Sequence, residues 1–260
     1  MCALKTVMIT DEERKRYHRQ ILMLGEAGQE RLKESRVLIA GAGGLGTVIS
    51  TYLAAAGIGI LRIVDCDVVE ESNFNRQILH WSGDLGRPKT ASVAEKLAAL
   101  NPLIRVEEMA GRIDETNIDA TAEGCDLIVD AMDNFPTRYL LNRTALIRGI
   151  PFIHGAVRGL YGQATTVLPG KTPCLRCIFP GSPPPEIFPI IGATCGVIGC
   201  VQATEAIKLI TGRGEPLAGR LFIWDGLAVS ADSLAVERNP ACPDCGMEAP
   251  RGKLRSIFDP

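Results

Sequence analysis

The 260-residue sequence lacks an excess of positive charge, with 28 lysines and arginines against 30 aspartates and glutamates and a net charge of −2. Proteins that bind nucleic acid or an anionic membrane usually carry a basic excess, so neither partner is predicted. The sequence also lacks an uninterrupted apolar run of the roughly 18 residues that a membrane span needs. Its N-terminus soon becomes charged and has no hydrophobic signal segment, so we expect a cytoplasmic protein.

Internal repeats and low-complexity segments are absent as well, and 46% of the residues are hydrophobic, enough for the core of one large domain. In the first half, short apolar runs alternate with helical segments, which predicts a parallel sheet with helices on both faces. A capping box, Thr10 with Glu13, starts the first predicted helix. Strands are predicted at 36–40, 60–64, 105–109, 126–131 and 152–156, and helices at 26–34, 45–56, 90–100 and 136–148.

From about residue 157 the pattern changes, because strands no longer alternate regularly with helices. Strands are predicted at 161–168, 221–224 and 228–236, and one convincing helix is predicted at 194–210. The predicted fold is therefore α/β, Rossmann-like and doubly wound, with a mainly parallel sheet extended by antiparallel strands and preceded by N-terminal helices. The predicted organisation is an N-terminal helical segment at 1–35, a nucleotide-binding part at 36–156, a second part of the same domain at 157–246 with a proline-rich loop at 178–192, and a tail at 247–260.

Residues 41–46, GAGGLG, fit the pattern G-x-G-x-x-G between a strand and a helix. Glycines there allow a tight turn and let phosphate oxygens approach the N–H groups at the start of the helix. Asp65 ends the next strand about twenty residues later, where a carboxylate can accept hydrogen bonds from a ribose. A nucleotide site is predicted, and a dinucleotide oxidoreductase is the first alternative.

Four features after the loop favour a triphosphate instead. Asp67 follows Asp65 at a spacing that places both carboxylates on one side of a strand. Arg76 and Lys89 are cations that suit a polyphosphate, although surface cations are usually only solvated. Asp133 follows the apolar run 127–129 at the predicted carboxyl edge of the sheet, where an acidic residue can hold phosphate-bound Mg²⁺.

Nine cysteines are present, four of them in two C-x-x-C pairs separated by 64 residues. Four thiolates from two tight turns complete a closed tetrahedral zinc site, whose role is structural. The alternative, a redox dithiol, needs only one pair within a thioredoxin-like pattern that the sequence does not contain. The predicted zinc ligands are Cys174, Cys177, Cys242 and Cys245, and the remaining five cysteines are interpreted as small inert residues.

These stretches together resemble the HesA/MoeB/ThiF family, relatives of the ubiquitin-activating enzymes, from about residue 16 to residue 245. The resemblance implies an ATP-dependent adenylyltransferase that activates the C-terminal glycine carboxylate of a ubiquitin-like β-grasp sulfur carrier ending in Gly-Gly and releases pyrophosphate. It also implies sulfur transfer of the molybdopterin or thiamin type, the cofactors ATP, Mg²⁺ and Zn²⁺, and a homodimer. The matching stretches are RYHRQI, RVLIAGAGGLG, IVDCDVVEESNFNRQ, GRPKT, DAMDN, CLRC, GVIGCVQATEAIKLITG and NPACPDC.

The family's functional residues carry over by similarity, position by position. The resemblance implies that Asp65 holds the ribose, that Asp67 is a second acidic residue near the nucleotide, and that Asp133 binds Mg²⁺. It makes Arg19 an arginine finger from the neighbouring subunit. The implied catalytic residues are Arg19, Arg76, Lys89 and Asp133, and the implied nucleotide-binding residues are Gly41, Gly43, Gly44, Gly46, Asp65, Asp67, Asn73, Arg76, Lys89, Asp133 and Asn134.

One departure concerns the crossover loop, where sulfur-transferring members often carry a cysteine about eleven residues before Cys195. Here Pro184 stands near that position and the loop contains no cysteine. Cys195 is a possible substitute nucleophile at a helix start, and a packing residue on the other interpretation. Only fifteen residues follow Cys245, so we expect any transferred sulfur to come from another protein.

Other functions stay open at this stage. Within the same superfamily, the substrate carboxylate can belong to a short peptide or another compound. A different class is an NAD-dependent oxidoreductase, against which Arg76, Lys89 and Asp133 argue. A non-catalytic scaffold is a further alternative.

Overall fold

The computed structural model describes residues 8–182 and 188–247. Residues 1–7, the centre of the predicted crossover loop with Pro184, and the predicted tail beyond Met247 lie outside the described residues. The helices are α1 (Asp11–Arg16), α2 (His18–Glu34), α3 (Gly44–Ala56), α4 (Lys89–Leu100), α5 (Ile118–Thr121), α6 (Phe135–Arg148), α7 (Leu175–Ile178) and α8 (Gly192–Thr211). The strands are β1 (Arg36–Ala40), β2 (Ile60–Asp65), β3 (Arg105–Ala110), β4 (Leu127–Asp130), β5 (Phe152–Arg158), β6 (Tyr161–Val167), β7 (Arg220–Asp225) and β8 (Ser230–Ala235).

All eight strands form one sheet in the order β3-β2-β1-β4-β5-β6-β7-β8. The pairs from β3 to β5 are parallel, and the pairs from β5 to β8 are antiparallel. The carboxyl ends of β1 and β4 lie side by side where the chain leaves for opposite sides of the sheet, which is where ligands bind in open α/β sheets. The predicted fold class is confirmed.

Local signals explain most helix ends. Thr10 and Glu13 form the predicted capping box, with the Glu13 N–H 3.2 Å from Thr10 Oγ1 and the Thr10 N–H 2.6 Å from Glu13 Oε2. Gly57 and Gly212 end α3 and α8 in the left-handed conformation that favours glycine. The helix predicted at 26–34 is the second part of α2, which begins at residue 18 and is interrupted by a non-helical kink at Gly25, where φ is +75°.

Two apolar cores cover the two faces of the sheet. On one face α2, α3, α4 and α8 bury side chains such as Ile49 and Ile198, and on the other face α5, α6 and α7 cover Leu38 and Phe152 together with the cysteine pairs. Burial on both faces is typical of a parallel sheet. Both cores lie below the edge where the strands of the parallel half end.

Among the described residues, α8 is long and apolar enough to cross a membrane, judged by length and composition alone. Half of its most apolar stretch is buried inside the protein. The helix is not an uninterrupted apolar run, because Gln202, Glu205 and Lys208 lie within it. Its polar residues bond inside the fold: Gln202 Nε2 donates to the Asp130 carbonyl at 2.7 Å, and Glu205 accepts from Thr166 and from the Leu217 N–H. Here α8 is a core helix that packs against α3 and the sheet.

Candidate active site

A cleft of about 1310 Å³ opens at the carboxyl ends of the parallel strands. The glycine loop forms its floor, and the segments after β2 and β4 form its two sides. Two predicted residues are not among those that line it, Gly46 and Arg19. The predicted residues that do line it are Gly41, Gly43, Gly44, Asp65, Asp67, Asn73, Arg76, Lys89, Asp133 and Asn134.

Glycine is required in the loop for two different reasons. Gly41 has φ of +106°, and a Cβ there would lie 2.6 Å from the Ala131 carbonyl oxygen. A Cβ on Gly46 would lie 1.9 Å from the Gly41 carbonyl oxygen, so Gly46 allows α3 to sit directly on the loop. Gly46 therefore shapes the site through packing, whereas Gly43 and Gly44 face the cleft at the start of α3. The N-terminus of α3 suits phosphate oxygens.

Asp65 holds the loop in place as well as facing the cleft. Its Oδ2 accepts the Ala42 N–H at 2.7 Å, and its Oδ1 accepts the Asp67 N–H at 2.8 Å. The sequence interpretation of Asp65 and Asp67 as neighbours on one strand face was wrong, because β2 ends at Asp65 and the chain turns there. Both carboxylates still face the cleft.

Lys89 is the first residue of α4, and its side chain is only 7% exposed. Its Nζ lies 2.8 Å from Asp67 Oδ2, and its N–H donates to the Asp67 carbonyl at 3.0 Å. The hydrogen bond from Lys89 lowers the pKa of the Asp67 carboxyl below its usual value, against the effect of burial. A buried cation and its carboxylate thus lie beside the glycine loop.

Arg76 reaches the same cleft from the segment after β2. Its Nη1 donates to the Ser72 carbonyl and to Asn75 Oδ1, both at 2.9 Å, so the guanidinium is oriented by its own segment. Asn73 is buried, and its Oδ1 accepts the Glu70 N–H at 3.1 Å. Its amide therefore shapes the turn that delivers Arg76.

Asp133 lies three residues beyond the end of β4, on an exposed turn. Within the described residues, the one hydrogen bond of its carboxylate is to Asn134 Nδ2, and that is long at 3.4 Å. Asn134 uses its own Oδ1 to cap α6 by accepting the Thr137 N–H at 3.0 Å. Asp133 is thus held by its backbone and leaves its oxygens available to a cation.

The turn that carries Asp133 is fixed from below by a buried cluster that sequence reasoning missed. Asp130 Oδ1 accepts the Met132 N–H at 2.9 Å, and Arg138 Nη2 donates to the Met132 carbonyl at 2.6 Å. His154 Nδ1 lies 2.7 Å from Asp130 Oδ2, and both side chains are fully buried. Burial lowers the pKa of His154, although Asp130 opposes this. The sequence feature that could have indicated this cluster is His154, a histidine inside the apolar run of β5.

Cys195 is buried at the start of α8, with its Sγ against Gly44. Burial raises the pKa of its thiol to about 11, even though Arg76 is near enough to oppose this. The geometry therefore favours the interpretation of Cys195 as a packing residue over that of a nucleophile. Arg19 is exposed on α2, so this chain does not bring it to its own cleft.

The four cysteines of the two C-x-x-C pairs meet on the opposite face of the sheet from α8. Their sulfur atoms all lie within 4.8 Å of one another, and the Cys174–Cys242 and Cys177–Cys245 distances are 3.6 and 3.4 Å. Zinc at about 2.3 Å from four sulfurs separates them by about 3.8 Å, so the donor set fits a structural Zn²⁺. The Asn239 N–H, 3.4 Å from Cys177 Sγ, supplies a hydrogen bond that suits a thiolate.

The cysteine cluster is tied to the helix that starts beside Asp133. Asp244, between the last two cysteines, accepts from Asn142 Nδ2 on α6 at 3.2 Å, and Asn142 Oδ1 accepts the Leu175 N–H at 3.0 Å. Arg143 is 4.0 Å from Asp244 and also lines the cleft. The cluster therefore supports α6 and one wall of the site.

Comparison with known proteins agrees with this geometry. The ThiF family model matches residues 17–244. The SAMP-activating enzyme E1 of Haloferax volcanii is 46% identical over 252 residues, which are 94% of this chain and 92% of that protein. The sulfur carrier protein adenylyltransferase of Thermus thermophilus is 44% identical over 258 residues, 94% of this chain and 95% of that protein.

Solved structures of E. coli MccB share the fold. The complex with MccA-N7isoASN has a TM-score of 0.82 and 25% sequence identity, and it covers 89% of this chain and 75% of the MccB chain. The complex with ATP has a TM-score of 0.80 at 25% identity, with coverage of 88% and 74%.

Proposed function

We propose, from the premise that this chain belongs to the ThiF family, that it is an ATP-dependent adenylyltransferase that activates the C-terminal carboxylate of a ubiquitin-like sulfur-carrier protein. The single observation that carries the proposal is the arrangement around the glycine loop. The cations Lys89 and Arg76 flank one side, and the open carboxylate of Asp133 lies on the other. A polyphosphate with a divalent cation matches this distribution of charge, whereas a hydride-transfer site requires none of it.

The reaction joins the carrier's carboxylate to the α-phosphorus of ATP and breaks the bond to pyrophosphate, which leaves. Negative charge spreads over the phosphate oxygens in the transition state, so the protein contributes mainly positioning and cationic stabilisation. The N–H groups at the start of α3 hold the phosphates, and Asp65 faces the ribose. Lys89 and Arg76 stabilise the charge on the phosphates. Asp133 would hold Mg²⁺, which neutralises the departing pyrophosphate.

A groove of about 540 Å³ adjoins the cleft at Asp133 and runs along β5 and β6. Val157, Tyr161 and Ile223 line it together with polar groups such as Gln163. An extended C-terminal tail fits a groove of this kind, which leads to the α-phosphate position. The two relatives named above act, by their names, on a SAMP and on a sulfur carrier protein, which supports a ubiquitin-like partner.

We also propose that the active form is a homodimer in which Arg19 completes the neighbouring cleft. Arg19 is exposed and lies outside its own cleft lining, so a second copy is needed for it to contact ATP. Mixing inactive R19A chains with inactive D133A chains tests this. If half of the reassociated dimers are mixed and each mixed dimer has one intact site, activity returns to about a quarter of wild type. No recovery in verified mixed dimers contradicts delivery from the partner.

The deciding experiment is ATP–pyrophosphate exchange with purified protein, Mg²⁺ and a panel of β-grasp carriers ending in Gly-Gly. We expect exchange that requires one carrier and disappears in Asp133→Ala. The matched control is Asp119→Ala, which removes an exposed acid outside the cleft. ATP binding without exchange on any carrier would reject the carrier proposal.

A short peptide is the second candidate substrate, since MccB has been solved with MccA-N7isoASN, whose name places an isoasparagine at position 7 and so describes an amino-acid chain. The same assay with peptides in place of carriers separates the two candidates. Exchange with a free peptide that outperforms every carrier would make the peptide the substrate class.

A further inference from the structure

We propose that His80 is a positioning residue for adenylation: its imidazole, protonated on Nε2, holds the Ala42 carbonyl and so aims the Gly43 N–H at the phosphates. The proposal rests on the proposed function, because it assigns the phosphate contact of that site. His80 is 3% exposed, with Nε2 2.9 Å from the Ala42 oxygen and Nδ1 2.9 Å from Ser92 Oγ.

The hydrogen-bond partners select one tautomer. A carbonyl oxygen can only accept, so the nitrogen that faces Ala42 must carry a proton. Lys96 Nζ donates to Ser92 Oγ at 3.0 Å, so the Ser92 hydroxyl can donate its own proton to Nδ1 of His80 at 2.9 Å, with the Asp84 carboxylate as the competing acceptor. A neutral ring with its proton on Nε2 satisfies all of these contacts. A chain of donors thus runs from Lys96 through Ser92 and His80 to the glycine loop.

The surroundings also keep the ring neutral. Burial lowers the pKa of His80, and the nearby cations Lys89 and Lys96 lower it further, whereas the hydrogen bond to Ala42 and the Asp84 carboxylate act in the opposite direction. The net direction is downward. A neutral ring has one N–H, and that N–H is committed to the loop.

Ala42 is fixed at both ends by different segments. The Asp65 carboxylate accepts the Ala42 N–H at 2.7 Å, and His80 Nε2 donates to the Ala42 carbonyl. In a trans peptide the carbonyl and the next N–H point in opposite directions, so the Gly43 N–H points away from His80. Gly43 lines the cleft, and a Cβ there would meet nothing closer than Gln77 Nε2 at 3.8 Å. His80 therefore presets a phosphate contact before the nucleotide binds.

Two substitutions separate the two ring nitrogens. Glutamine places its amide nitrogen near the position of Nε2, whereas asparagine reaches only the position of Nδ1. Wild-type exchange is measured first, so a failure of the proposed function is seen before any variant is made. KM for ATP and kcat are then compared for His80→Gln and His80→Asn, with melting temperatures for both.

We expect His80→Gln to keep the wild-type KM within about two-fold, and His80→Asn to raise the KM for ATP by about five- to ten-fold, which corresponds to one lost hydrogen bond. Equal KM values for the two variants, with any change confined to the melting temperature, would overturn the proposal and leave His80 a packing residue.

A second measurement needs no variant. The chain has three histidines, so nitrogen NMR of histidine-labelled protein resolves each ring. We expect His80 to be neutral and protonated on Nε2, with an Nε2–H signal that shifts when ATP binds. A ring protonated on Nδ1 alone would overturn the proposal, since it could not donate to Ala42.

Discussion

The Lys89 ammonium lies 2.8 Å from the Asp67 carboxylate at the mouth of the cleft. Lys89 is buried and Asp67 is largely exposed, so the cation is fixed in place and its partner faces solvent. The glycine loop is therefore accompanied by a cation whose charge is balanced before any phosphate arrives. On the proposed function, we expect a phosphate of ATP to replace the Asp67 carboxylate as the partner of Lys89, or to share Lys89 with it.

Replacing Lys89 by methionine should therefore lower kcat for ATP–pyrophosphate exchange by about 10²- to 10³-fold, a typical loss for one preorganised stabilising group. Lys89→Arg should lose less, because it retains the charge but not the compact geometry. The exposed Lys15 provides the control, and Lys15→Met should exchange at the wild-type rate. A normal rate in Lys89→Met would contradict the role given to Lys89.

Gly44 and Cys195 should show strong coupling in a double-mutant cycle. A Cβ on Gly44 would lie 2.8 Å from Cys195 Sγ, so Gly44→Ala should weaken ATP binding and lower the melting temperature. Cys195→Ala removes that sulfur and should restore part of both in the double variant. Cys195→Ala alone should keep exchange activity, because burial raises the pKa of the thiol to about 11 and so disfavours the thiolate that a nucleophile requires. Loss of exchange in that single variant would instead indicate a chemical role.

The cysteine cluster should bind one zinc ion per chain, as measured by metal analysis. Cys242→Ser should remove the zinc and lower the free energy of unfolding by several kcal/mol, because metal binding is coupled to folding of the site. Cys200, which lies outside the cluster, is the matched control and should keep the zinc when changed to serine. Unchanged zinc content in Cys242→Ser would exclude the proposed ligand set.

Asp84 should make stability depend on pH in the acid range. Burial is the largest single effect and raises the pKa of Asp84, but the hydrogen bonds from Lys96 and from the Trp81 N–H, together with the charge of Lys96, outweigh it and lower that pKa from 3.8 to about 2. Its contribution is therefore complete above the unfolded-state pKa and is lost as the pH falls through the folded-state value. Asp84→Asn should cost about 3 kcal/mol near neutral pH, since it leaves Lys96 buried without its carboxylate.

Unfolding of wild type and Asp84→Asn by urea at several pH values measures that difference in stability. The gap between the two proteins should narrow as the pH falls from about 4 toward 2. A gap that is constant over this range would show that the ion pair does not control the difference.

The sequence predicted the parallel half of the sheet well, because buried strands and capped helices leave local signals. Each predicted strand there lies within two residues of the observed one at both ends. The family assignment rests on the same motifs and is confirmed by the match over residues 17–244. Membership in this family removes the support for the oxidoreductase interpretation, which rested on the glycine pattern alone.

What the sequence could not provide were contacts between distant segments. The bond from His80 to Ala42 spans 38 positions, and the clamp that Asp130, Arg138 and His154 place on the Asp133 turn depends on the order of β4 and β5 in the sheet. The prediction that Asp65 and Asp67 share one strand face was wrong because β2 ends at Asp65, whose carboxylate accepts the N–H groups of Ala42 and Asp67. Such positions are visible only once the topology brings them together.

The cysteine cluster also sets an order in time for a chain made on the ribosome. Cys174 and Cys177 emerge first, and 64 residues must follow before Cys242 appears. The nucleotide-binding half can already fold in that interval, since its strands pair with one another without the last turn. The predicted zinc would therefore bind only after the turn around Cys242 and Cys245 is made, and a chain stopped short of that turn keeps two thiols beside α6 without their partner thiols.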